Sequence, residues 1–186
     1  TETNAGSSSG AKLRILQAAV DVLADRGYHD ANVDDIVKKS GSSKGGFYFH
    51  FPSKERMVIA LMEQQSAKLV EKVEISIAGY ANPERRLRVA IETLIRTFSK
   101  RKKIARILLI NVVGNGKIMD SKFLPVRERF ANLICRELDN AVGKGLIPPQ
   151  NTSLASRVWL GALHEVLHSW LISPNQSSVE SMICDL

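Results

Sequence analysis

Two stretches of this chain gather reactive or hydrogen-bonding side chains. In the first, His164-Glu165-Val166-Leu167-His168, two imidazoles stand one helical turn apart with a carboxylate between them, the spacing with which zinc peptidases hold a metal and activate water. The extended form of that motif needs a third ligand, and Leu171 and Pro174 occupy the positions where its Gly and His would fall. Glu180 comes later, beyond the helix-breaking proline. The pair is therefore expected to be two satisfied polar residues lining a ligand cavity or a subunit seam. The chain is expected to be no enzyme, with no catalytic residue, no bound metal and no cofactor; a zinc-dependent hydrolase built on 164–168 is the rival reading.

The second stretch is Ser42-Ser43-Lys44-Gly45-Gly46-Phe47-Tyr48-Phe49-His50-Phe51-Pro52-Ser53-Lys54. Ser43 can cap a short helix starting at Lys44, whose N-terminus carries partial positive charge, and Lys44 adds a full one. Gly45 and Gly46 remove bulk where a backbone must approach a surface closely, and Tyr48 and His50 supply donors for phosphates or base edges. That is nucleic-acid chemistry. The net charge of +7 supports it only weakly, because residues 1–63 hold 8 basic and 8 acidic side chains while residues 64–103 hold 10 and 4.

The elements that would position these groups are helices throughout. Leu13, Leu16, Val20 and Leu23 recur at helical spacing from about 11 to 26, with Gly27 as a C-terminal stop. Asn32 can cap a second helix burying Val33, Ile36 and Val37, with Asp34 and Asp35 in its first turn, Lys38 and Lys39 in its last, and Gly41 closing it. The third runs from Lys44 to about His50, and Pro52 ends it. Ser53 caps a fourth, long helix reaching about Ile77. Further helices are expected from Pro83, up to Gly114-Asn115-Gly116, over Val126–Val142, over Ser153–Ile172 and around Val179–Leu186. The predicted class is all-α with about nine helices: a helix-turn-helix unit over 11–56 behind a flexible arm at 1–10, a linking helix over 53–77, and a larger domain over 57–186.

From Gly27-Tyr28 through Asp34-Asp35-Ile36 and Gly41 to Glu55, the sequence closely resembles the DNA-binding segment of the TetR family of transcriptional regulators. The resemblance implies a homodimer on a palindromic double-stranded DNA operator and a C-terminal domain that binds a small-molecule effector and supplies the dimer contact. A repressor released by that effector is the expected activity. It also implies DNA contacts at Ser42, Ser43, Lys44, Gly45, Tyr48, His50 and Lys54, with Asn32 on a phosphate; Gly46 and Phe49 complete the interface but depart from the family's polar residues there.

The effector cavity is expected among the C-terminal helices, lined by Phe98, Leu108, Phe130, Trp159 and Leu163. Asn111, His164, Glu165 and His168 would orient a polar head group. Residues 83–171 are similar to TetR regulators of fatty-acid metabolism that sense acyl-coenzyme A, and the cations Lys100–Lys103, Arg106, Arg85, Arg86, Arg88 and Arg96 would suit its phosphates, although such a run also reads as a solvated helix end. Regulation by a protein partner is the alternative to a small molecule. No apolar run reaches the length of a membrane span, no signal peptide opens the chain, and Cys135 and Cys184 show no metal-ligand spacing, so a cytoplasmic protein with no membrane partner is expected.

Overall fold

A computed structural model describes residues 3–110 and 123–173, and eight helices account for almost all of them. Helix α1, Thr3–Asp30, starts earlier than the sequence suggests and is broken at Gly27, whose φ of 77° favours glycine. Helix α2, Val33–Ser40, is capped by Asn32, whose side chain accepts from the Asp35 N–H at 2.8 Å, and closes on Gly41 at φ 65°. Helix α3, Lys44–His50, is capped by Ser43, which accepts from the Gly46 N–H at 2.9 Å. Ser53 caps α4, Lys54–Ile77. Helix α5 spans Pro83–Lys100 behind the Asn82 cap, and α6 spans Lys102–Leu109 after a break at Arg101. Helices α7, Leu124–Gly143, and α8, Thr152–Ile172, complete the order. Apart from α1, which takes in the residues 3–10 expected to be a flexible arm, these bounds match the expected helices to within a few residues; the helix expected around 179–186 and the Gly114–Gly116 stop lie outside the described residues.

The all-α class is thus what the chain adopts, with no strand among the described residues. Three apolar clusters explain how the helices are held. The first joins Ile15, Leu23, Ile36, Phe47 and Phe51 of the N-terminal helices to Met57, Leu61 and Met62 of α4, and continues to Ile107 of α6 and Val126 of α7. The second, Leu69, Ile91, Ile95, Phe98, Ala105, Leu109, Leu167 and Trp170, lies among α4, α5, α6 and α8. The third packs Val70, Val73 and Ile77 against Leu133.

Two helices connect these cores. Helix α4 places Met57–Met62 in the first, Leu69 in the second and Val70–Ile77 in the third. Helix α6 puts Ile107 into the first cluster and Ala105 and Leu109 into the second, and lies along α1. Interiors packed to crystal-like density transmit displacement, so neither helix can shift against one core without disturbing the other.

Candidate functional site

The second and third helices meet at the Gly41 turn, and the interface they present follows from what Phe47 and Phe51 do. Both rings are buried, Phe47 completely, and they pack with centroids 5.9 Å apart. One turn of α3 is thereby pinned to α1 and α4, and its opposite side is left facing outward. That outer side carries Lys44, Gly45, Tyr48 and Phe49, with Tyr48 and Phe49 exposed by 50% and 79%. His50 is half-buried, its ring in edge contact with Phe49 at 5.1 Å.

The expected DNA-contact residues divide by role. Asn32 and Ser43 spend a side-chain oxygen on capping α2 and α3, and so set the pose of the unit. The Ser42 hydroxyl is buried with no partner among the described residues. A β-carbon on Gly46 would meet the Ser43 hydroxyl at 3.2 Å, so glycine there keeps the cap uncrowded; one on Gly45 would touch only that oxygen, at 3.9 Å. Lys44 reaches across to Asp34 of α2, Nζ to carboxylate 2.7 Å, and this hydrogen bond raises the lysine's pKa above its ordinary value.

Lys54 is occupied inward. Its ammonium donates to the Tyr28 and Ala31 carbonyls at 2.7 and 2.8 Å and stands over the Tyr28 ring at 4.5 Å, where burial lowers its pKa. These carbonyls belong to the end of α1 and the turn after it, so Lys54 fastens the start of α4 there. Neither the Lys44–Asp34 nor the Lys54–Tyr28 pairing has a sequence signal, because each joins residues on different helices.

The expected effector residues separate into an inner and an outer set. Phe98 is part of the second cluster, and Leu108, Phe130 and Leu163 pack against it, Phe130 touching all three cores. His164 and His168 are half-buried with stacked rings 5.8 Å apart, and His164 Nε2 lies 3.1 Å from the Leu109 carbonyl of α6. Glu165 points outward and accepts from the Ser169 hydroxyl, and Trp159 is 45% exposed. Asn111 lies outside the described residues. No group of three or more His, Cys, Asp or Glu side chains placed to hold a metal occurs among the described residues.

Two polar ties were not legible in the sequence. Asp21 of α1 accepts from Lys103 of α6 at 2.7 Å and pairs with Lys39 of α2 at 3.3 Å; the Lys103 hydrogen bond, more than the Lys39 contact, lowers its carboxyl pKa. Lys103, from the basic run, is thus joined to the N-terminal unit. Arg86 of α5 forks onto Glu137 of α7 at 2.6 and 2.8 Å and donates to the carbonyls of Ile77, the last residue of α4, and of Tyr80 beyond it.

Residues 15–61 match the sequence pattern of bacterial regulatory proteins of the tetR family, the stretch from α1 through the first third of α4. The fatty acid metabolism regulator protein of Bacillus subtilis is 23% identical over 87% of this chain and 84% of its own length. The transcriptional regulator EthR of Mycobacterium tuberculosis is 34% identical over 51% of this chain and 45% of its own length. Among solved structures, FadR of B. subtilis in complex with stearoyl-CoA superimposes with a TM-score of 0.87 at 21% identity, covering 93% of this chain and 94% of that one. FadR of Bacillus halodurans does so with 0.86 at 24% identity, covering 92% and 93%. None of the helices is long and apolar enough to cross a membrane among the described residues. With the helix-turn-helix geometry and the family pattern in agreement, residues 15–61 form the N-terminal unit of bacterial regulatory proteins of the tetR family, and the rest of the chain shares its helical fold with these relatives.

Proposed function

We propose that this protein is a cytoplasmic repressor that binds a palindromic operator as a homodimer and leaves it when an acyl-coenzyme A thioester occupies its C-terminal domain. The observation that carries the reading is the division of α3: one side locked into the first core by Phe47, the other exposing Lys44, Gly45, Tyr48 and Phe49. A short helix held this way can enter the major groove with its positive N-terminus toward the phosphates.

The dimer contact falls on α8. Its outer face carries Leu154, Val158 and Gly161 at successive helical turns, all exposed, and nothing stands within 4 Å of where a Gly161 β-carbon would be. A second copy of the same face, brought close by the glycine, would bury this apolar row, as an isologous contact requires. Two α3 helices would then sit about one DNA turn apart, roughly 34 to 36 Å.

The effector class rests on the relative whose structure holds stearoyl-CoA and on the apolar setting of Phe98, Leu108, Phe130 and Leu163. An acyl chain wedged there must displace α4 or α6, and both reach the core that seats α3. Release needs only that the effector bind the displaced geometry more tightly, by a few kcal/mol. Selection of operator sequences from random duplexes with the full chain tests the reading. An inverted repeat binding two chains is expected; enrichment of no sequence, or of a lone half-site bound by one chain, would overturn it.

A further inference from the structure

The exposed side of α3 has few hydrogen-bonding side chains to offer a base pair. Ser43 is spent on its cap and Lys44 on Asp34, while Gly45 and Gly46 have no side chain. Beside the Tyr48 hydroxyl, the most exposed large side chain there is a ring with no polar atom: Phe49, 79% exposed against 50% for Tyr48, standing three and four residues on from the two glycines. The ring meets His50 edge to face, at an interplanar angle of 78°.

Among the groups that base pairs present in the major groove, one is apolar, the 5-methyl of thymine. We propose that Phe49 sets operator specificity by packing its ring on a thymine methyl, one in each half-site, with Gly45 and Gly46 allowing the helix backbone near enough for the contact. This rests on the DNA-binding reading above and adds to it which base feature is read and by which residue. Phe49 is thus assigned the discriminating role in α3.

The test uses the full chain, an operator obtained by selection, and duplexes in which symmetry-related thymines are replaced in turn by uracil, which differs by the methyl alone. Binding is read by fluorescence anisotropy. At one symmetric pair of positions the wild type is expected to weaken about four-fold per half-site, about fifteen-fold in all, the worth of one buried carbon at each site. Phe49→Ala should bind thymine and uracil operators alike at that position, keep the wild-type dependence on salt because no charge is lost, and melt as the wild type does because the ring is exposed. A wild type indifferent to uracil everywhere while still selecting its operator would overturn the proposal and leave DNA binding intact. So would a Phe49→Ala variant that keeps the uracil penalty. Failure of the wild type to bind the unmodified operator in preference to random duplex would refute the underlying reading, and the proposal with it.

Discussion

Asp34→Asn tests the interface through its charge. In the folded chain the Lys44 ammonium lies 2.7 Å from the Asp34 carboxylate, with both side chains more than 60% exposed, so the edge of α3 presents a neutral pair rather than a cation. An exposed pair of this kind contributes little to folding. The substitution removes one acidic group from the first turn of α2 and leaves Asp35, so the melting midpoint should fall by no more than about 3 °C. The effect on DNA is larger. A freed Lys44 at each half-site can neutralise one more phosphate, and each such contact steepens the log-log dependence of affinity on salt by about 0.9, hence about 1.8 for a dimer. Between 50 and 200 mM salt the variant should lose about twelve-fold more affinity than the wild type, and it should bind tighter at the low end. Anisotropy titrations on one operator at four salt concentrations measure this. Lys44→Ala made in the Asp34→Asn background should abolish the added slope. Equal slopes for wild type and Asp34→Asn would show that Lys44 does not face the phosphates, and the docking pose would be wrong.

Lys54→Met removes an ammonium that faces the Tyr28 and Ala31 carbonyls, so it should lower stability by about 1 to 3 kcal/mol in a denaturant melt and leave the salt slope unchanged, the opposite of Lys44. Phe47→Ala empties a fully buried site and should cost about 3 to 5 kcal/mol, with operator binding lost at temperatures where the first core has melted. Asp21→Asn cuts the tie from α6 to α1 and α2. Because the folded carboxyl titrates below its ordinary value, its stabilising effect is present above the unfolded pKa of about 3.9 and is lost as the pH falls through the lower folded one. The variant should therefore melt below the wild type at pH 7, with the gap closing as the pH falls through the lowered folded pKa, and circular-dichroism melts from pH 7 downward would show it.

The helices were legible because their ends are written in local chemistry. Asn32, Ser43, Ser53 and Asn82 all cap as their positions suggest, and Gly27 and Gly41 take the positive φ expected of stops. The start of α1 was missed because Ser and Gly residues near the N-terminus carry no apolar period, yet the helix runs through them from Thr3. The inner and outer sides of α8 were harder to read, since Trp159 and Leu163 are both apolar on one helix and only packing against α6 and α7 decides which is covered. Long-range ion pairs were out of reach for the same reason: Lys103 and Asp21, 82 positions apart, meet only because α6 lies along α1. The literal HExxH shows the converse, a local pattern whose tertiary setting is a stacked histidine pair against the Leu109 carbonyl.

On this mechanism, occupancy of the C-terminal core drives the protein off its operator. The direct measurement is the anisotropy of a fluorescent operator saturated with the full chain as stearoyl-coenzyme A is added, with free coenzyme A and stearate in parallel. The signal is expected to fall to that of free DNA with the thioester alone, and Asp21→Asn to need more effector for the same release because α6 no longer pulls on α1. An operator complex that persists at saturating thioester, while a thermal melt shows the thioester bound, would contradict it.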